Sequence, residues 1–342
     1  MNTVDTQKIR SPRSENRQEL FKIVPLKVPF SIGIAPSDLC NFRCNYCNQS
    51  TPAGIKDARI LPWDDFQVIL KQIIDLCHGG EKTKIINLIG NGEPLLNKDL
   101  PKMVQALRDS HVSDRIEVTT NASLLTPNLS EALIEAGLTR LIVSIQGIDE
   151  AAYKRTCQYT INFNRLLENL QYFYNKRKEC ALFIKTVNTV LCGKEEENTF
   201  YNLFSPMCDN IYIENTMEAC FDVDYNKIIG DNLGRVSRYG NKVQYRICCD
   251  SLFTSVNIQS NGDVGVCGCR YPNLMIGNVF QMPLSEIWNG DIHKKIMKLH
   301  LEGMRETITD CRDCASIREY SLPEDNLDDH LEEILERVNQ LE

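Results

Sequence analysis

Between residues 28 and 214, short apolar runs alternate with segments of helical periodicity, and this alternation limits the chain to very few folds. The runs read as strands over Val28–Ile34, Lys84–Ile89, Arg115–Thr120, Arg140–Ile145, Leu182–Leu191 and Asn210–Glu214. Helical spacing begins near Pro62 and returns over Lys98–Ser110, Leu129–Ala136 and Asn164–Lys178, with a further crossover from Asn198 to Pro206. About six βα units in series predict a parallel sheet with helical crossovers. A complete eight-unit barrel needs more chain than this. In such a sheet, functional residues gather where strands end at their carboxyl side.

The first strand runs directly into Cys40-Asn-Phe-Arg-Cys44-Asn-Tyr-Cys47, a C-x3-C-x2-C spacing. Three thiolates on one tight loop suit three irons of a [4Fe–4S] cluster, because soft sulfur ligands favour such centres. A fourth ligand is missing from the loop, which leaves one iron open to chemistry. A zinc site made from the pairs Cys44/Cys47 and Cys311/Cys314 is the plainer alternative, but zinc is usually four-coordinate and Cys40 would be idle.

At the predicted strand ends stand Asn91-Gly92-Glu93-Pro94, Thr120-Asn121, Ser144-Ile-Gln-Gly147 and Asn188. Any one of these has an ordinary turn explanation; their order and spacing give them weight. With the cysteine loop they resemble the radical S-adenosylmethionine (SAM) superfamily. The resemblance implies a partial (β/α)6, TIM-like barrel in the α/β class. It also implies SAM bound at the open iron and cleaved reductively to a 5'-deoxyadenosyl radical. Cys40, Cys44 and Cys47 would hold that cluster. Tyr46, Asn91, Gly92, Glu93, Asn121, Ser144, Asn188 and Arg155 would contact SAM. The chain departs from the family pattern at Asn91 and Ala122, where glycines are usual, and Cys157 stands close to the position where an arginine is usual.

A second group of cysteines lies beyond residue 245: Cys248, Cys249, Cys267, Cys269, Cys311 and Cys314. Asn261-Gly262 between apolar runs predicts a β-hairpin carrying Cys267. The phrases Ile276-Gly-Asn-Val279 and Glu286-Ile-Trp-Asn-Gly290 resemble the SPASM/twitch domain of radical SAM enzymes. The resemblance implies a small C-terminal domain, hairpin plus helix, with an auxiliary [4Fe–4S] cluster on Cys249, Cys267, Cys311 and Cys314. Cys248 and Cys269 would be spares. The spacing is similar to that of the twitch domain in a dehydrogenase acting on an aminocyclitol. Cys77, Cys157, Cys180, Cys192, Cys208 and Cys220 read as small apolar core residues.

These signals divide the chain into a polar lead-in (1–27), a core barrel (28–220), a linker (221–244), the auxiliary domain (245–320) and an acidic, surface-exposed C-terminal helix (321–342). A net charge of −8 with mixed signs gives no footprint for nucleic acid. No run of about 18 apolar residues predicts a membrane span, and the polar N-terminus predicts a cytoplasmic protein. Fifteen clustered cysteines in a large cytosolic chain point to metal rather than disulfides.

Within the family three readings stay open. The first is a small-molecule enzyme that oxidises or epimerises a carbohydrate- or cyclitol-type substrate, such as a nucleotide-sugar or glycan precursor. It would draw electrons from an external one-electron reductant such as flavodoxin or ferredoxin. The second is a maturase that modifies a ribosomal peptide; its members often carry an N-terminal winged helix, and 27 polar residues are too few for one. The third is a non-catalytic iron–sulfur protein, for which a three-cysteine cluster has no evident use. The substrate-handling catalytic residues are not legible.

Overall fold

The computed structural model describes residues 18–230, 233–267, 274–319 and 322–341. Six strands come first: β1 (Ser31–Ile34), β2 (Ile85–Leu88), β3 (Ile116–Thr120), β4 (Arg140–Ser144), β5 (Ala181–Val187) and β6 (Asn210–Glu214). Between them run α1 (Trp63–Leu76), α2 (Leu100–Ser110), α3 (Pro127–Glu135), α4 (Glu150–Cys157), α5 (Phe163–Lys176) and α6 (Lys194–Phe204). Each strand pairs in parallel with the next, from Ser31↔Ile85 to Val187↔Glu214. This is the expected (β/α)6 order, and every strand points its carboxyl end the same way.

The local causes are ordinary ones. In α1, Phe66, Ile69, Ile73 and Leu76 recur at helical spacing and are the buried face. Side chains of Thr126, Asp149 and Asn162 accept backbone N–H groups at the starts of α3, α4 and α5, which satisfies donors a helix start leaves free. In β4 the run Leu141–Ile142–Val143 is buried throughout, as a parallel strand covered on both faces requires.

The sheet continues past β1. Strand β7 (Ser255–Ile258) pairs with β1 in parallel, Ser31↔Ser255 to Ile34↔Ile258. Strands β8 (Asp263–Gly265) and β9 (Met275–Asn278) then add antiparallel. The order is β6-β5-β4-β3-β2-β1-β7-β8-β9, an open nine-stranded sheet. The hairpin expected at Asn261-Gly262 is present as β7–β8, but its first strand extends the main sheet instead of founding a separate one. One apolar core runs through both parts, from Ile32 and Ile34 to Val256, Ile258 and Trp288.

Several expectations are corrected here. The strand expected over Leu182–Leu191 ends at Val187, and Asn188–Val190 forms a 3-10 turn. Residues 18–27 are not a loose lead-in: Leu20 and Val24 are buried, and the indole N–H of Trp288 donates to the Leu26 carbonyl at 2.9 Å. Composition hides this, because two apolar side chains suffice to anchor a polar segment. Among the described residues the acidic tail makes 3-10 turns at Pro323–Asp325 and Asp328–His330 and is α-helical only over α9 (Leu331–Asn339), where Ile334 and Val338 are buried. It is a packed amphipathic helix, not a solvated one. It lies beside α8 (Asp291–Leu301), with the Lys294 ammonium donating to the Leu341 carbonyl. Within 221–244, Tyr225 is buried, and the Ser237 carbonyl accepts the side-chain amide of Asn215 at 2.9 Å. Among the described residues no helix is long and apolar enough to cross a membrane.

Candidate functional site

The loop after β1 carries Cys40, Cys44 and Cys47, all half-buried. It is fixed by backbone pairing to the end of α4: Arg43 N–H donates to the Cys157 carbonyl and Asn45 N–H to the Thr156 carbonyl, each at 2.9 Å. Those carbonyls are the ones a helix end leaves unpaired. Arg43 also donates to the Cys40 and Phe42 carbonyls at 2.7 Å. The loop is braced from β2 as well. Glu93 N–H donates to the Leu39 carbonyl at 2.8 Å. Gln49, 2% exposed, donates to the carbonyls of Asp38 and Asn91 at 2.9 and 2.8 Å. A methyl on Gly92 would lie 2.2 Å from the Leu39 oxygen, so only glycine lets the two loops approach this closely.

The three thiols lie near enough to raise one another's pKa. For Cys44 the largest cause is its contact with the Cys157 thiol, then burial, then Cys47 and Cys40. Burial pushes Cys47 up to about 12, with Cys220 and Cys40 adding to it. Three such thiols keep their protons until a cation replaces them. Among the described residues no three donors converge on one point as a single ion requires. A cubane asks for less, since each thiolate takes its own iron. Three thiols on one braced loop, without a carboxylate or imidazole among them, fit that donor set.

The second cysteine group is assembled across the sheet's far end. Cys249, Cys267, Cys311 and Cys314 are half-buried, and Cys248 is buried. Burial raises the Cys249 thiol first, and the nearby Asp250, Cys314 and Cys267 raise it further. The carboxylate of Asp328 accepts the N–H groups of Ile247 and Cys248 at 2.9 and 3.0 Å. Cys269 lies outside the described residues.

At the carboxyl ends of β4–β6 a cavity of about 180 Å³ is lined by Tyr46, Ser144, Gln146, Lys185, Glu214 and Arg238, among others. The Tyr46 hydroxyl donates to the Gln146 amide oxygen, which pins the ring to the wall. Its backbone carbonyl accepts from the Tyr225 hydroxyl at 2.9 Å. Lys185 and Arg238 both reach Oε2 of Glu214, at 2.9 and 2.6 Å. Burial alone would raise Glu214, but Arg238 and Lys185 outweigh it and hold the carboxyl at about 2. Burial lowers Lys185, opposed by Glu214.

Of the residues expected to meet SAM, Tyr46 and Ser144 line this cavity. Glu93 turns into the protein: its carboxylate accepts from Leu95 N–H at 3.0 Å, Asn121 N–H at 2.8 Å and the Thr120 hydroxyl. Asn121 donates to the Asn41 side chain at 3.0 Å and accepts from Ser123, tying the end of β3 to the cysteine loop. Asn91 offers its carbonyl to Gln49, and Gly92 gives closeness. Asn188 is exposed and accepts Thr216 N–H at 2.9 Å, outside the cavity. Arg155 is exposed on α4 and its guanidinium reaches Cys192 at 3.7 Å; the residue of α4 that faces the loop is Cys157. Cys192 is exposed and Cys208 and Cys220 half-buried, so only Cys77, Cys157 and Cys180 are core residues. Gln49, Gln146, Lys185, Glu214 and Arg238 escaped the sequence reading. Glu214 alone carried a signal, as a carboxylate closing a predicted strand.

Comparison with known proteins gives the fold a context. A family model described as the radical SAM superfamily matches residues 34–204, and one described as an iron–sulfur cluster-binding domain, SPASM, matches residues 248–315. The GTP 3',8-cyclase of Staphylococcus saprophyticus is 32% identical over 140 residues, 41% of this chain and 40% of that protein. The chain thus matches about two fifths of that relative's length. SuiB of Streptococcus suis bound to S-adenosylmethionine aligns with a TM-score of 0.61 at 18% identity, over 91% of this chain and 79% of that one. BtrN in complex with AdoMet and 2-DOIA aligns with a TM-score of 0.54 at 18% identity, over 84% and 93%.

Proposed function

This chain belongs to the radical SAM superfamily and carries a SPASM-type iron–sulfur domain, and from that premise we propose that it takes hydrogen from a small polyhydroxylated molecule, a carbohydrate or cyclitol. Members of the superfamily use SAM and [4Fe–4S] clusters. Cys40, Cys44 and Cys47 are the residues that would hold the SAM-binding cluster, and Cys249, Cys267, Cys311 and Cys314 the auxiliary one. With SAM and one electron from an external reductant, the first cluster would supply the chemistry of a 5'-deoxyadenosyl radical, abstraction of a hydrogen atom from carbon.

The observation that supports the substrate class is the cluster of charged side chains on the wall of the cavity over β4–β6. It offers donors from Lys185 and Arg238, and an acceptor in Glu214, whose Oε2 takes both cations and whose Oε1 stays outside both ion pairs. Hydroxyl groups both donate and accept, so a wall that presents both functions suits a polyol. Lys185 and Arg238 keep Glu214 ionised, so it can orient a hydroxyl without being protonated.

The test is anaerobic incubation of the reconstituted protein with SAM, a one-electron reductant and separate panels of cyclitols, nucleotide-sugars, GTP and peptides. Mass spectrometry then follows the products. Loss of two hydrogens, or solvent deuterium at one carbon, in a cyclitol or sugar is the expected result. Modification confined to the peptide or GTP panel would overturn the substrate class.

A further inference from the structure

The second cysteine group contains a buried histidine with an unused donor. His300, on α8, is 1% exposed. Its Nδ1 accepts the backbone N–H of Cys249 at 3.3 Å. An imidazole that accepts at Nδ1 and is neutral must carry its proton on Nε2. That Nε2–H is shut off from solvent and meets no acceptor among the described residues. His293, seven residues earlier on the same helix, has a carbonyl at each ring nitrogen, Trp288 at 2.6 Å and Leu252 at 2.9 Å. An orphaned buried donor is costly and is seldom left in place.

The ring's position suggests the missing acceptor. On one side is the amide of Cys249. Near it is Arg305, whose guanidinium donates to the carbonyl of Cys311. His300 therefore stands between the two segments that would hold the auxiliary cluster. We propose that the Nε2–H of His300 donates a hydrogen bond to a sulfur of that cluster, with the Cys249 amide fixing the tautomer. His300 is then a positioning residue that sets the reduction potential, because a donor to cluster sulfur stabilises the more negative, reduced state. The inference rests on Cys249, Cys267, Cys311 and Cys314 being cluster ligands.

The test uses anaerobically reconstituted holoenzyme and electron paramagnetic resonance. Of two reduced-cluster signals, the one that SAM leaves unchanged belongs to the auxiliary centre. Pulsed electron–nuclear double resonance of that signal in ordinary water should show a proton coupling, lost on exchange into heavy water, in the unaltered protein that His300→Phe lacks. His300→Phe should also shift the auxiliary midpoint potential downward and leave the SAM-sensitive centre unmoved, while His300→Gln, which keeps a donor, should recover part of the shift. An auxiliary signal with the same coupling and the same potential in unaltered protein and His300→Phe overturns the proposal. If both variants lose the auxiliary iron, the unaltered protein decides alone: selective 15N-histidine coupling to the auxiliary centre supports the hydrogen bond, and its absence overturns it. A single cluster per unaltered chain would instead overturn the ligand assignment on which the inference rests.

Discussion

Glu93 shows how far a residue's type can be separated from its role. The turn Gly92-Glu93-Pro94 is legible as a ligand-facing motif, yet the carboxylate faces inward and holds Leu95, Thr120 and Asn121 in place. Spacing along the chain places a turn; it does not say which way the side chain leaves it. Burial pushes the Glu93 carboxyl up to about 7 from 4.5, although all three donors pull it down. A proton is therefore bound more tightly in the folded chain than in the unfolded one. Stability from this group is complete below pH 4.5 and is lost as pH rises through about 7, a change of about 3 kcal/mol. Denaturant unfolding at pH 5 and pH 8 should show that loss, and Glu93→Gln, which cannot ionise, should remove it. Lys185, Glu214 and Arg238 are the opposite case. They meet at one oxygen from 29 and 24 residues apart, and no local pattern announces such a meeting.

The elements explain why the strand ends were readable and the hairpin's partner was not. β6 matches its expected span to the residue, with Tyr212 and Ile213 buried between the polar ends Asn210 and Glu214. The pairing of β7 with β1 spans more than two hundred residues, and periodicity carries nothing about partners. The turn after β2 is the element on which the cysteine loop leans hardest. Gly92→Ala would drive a methyl into the Leu39 and Ser37 carbonyls, at 2.2 and 2.5 Å, and neither can yield without moving the loop. Iron per chain after anaerobic reconstitution should then fall to about half, as one of two four-iron centres is lost. The auxiliary signal should persist.

At the scale of the whole molecule, both ends of the described chain close on the second cysteine group. The Arg337 guanidinium donates to the Phe21 carbonyl, and the Phe21 and His330 rings stack 3.4 Å apart. Asp328 sits between these contacts and the Ile247–Cys248 backbone. Asp328→Ala leaves two N–H groups without their carboxylate, and should destabilise the fold by about 3 kcal/mol. Hydrogen exchange should quicken at residues 247–249, and auxiliary iron should leave more readily than the other centre's. Parallel β1–β6 lines up the cysteine loop, the Gly92 turn, Asn121 and Glu214 at the carboxyl ends of the strands, which is why the superfamily was legible from the cysteine spacing and the order of the strand-end motifs together. The substrate wall was not, because it is built from residues brought together only by that alignment. The direct measurement is SAM cleavage. Reconstituted protein with dithionite and SAM should yield 5'-deoxyadenosine and methionine, and Cys44→Ala should yield neither. Undiminished cleavage by Cys44→Ala, or none by unaltered protein holding both clusters, would contradict the assignment.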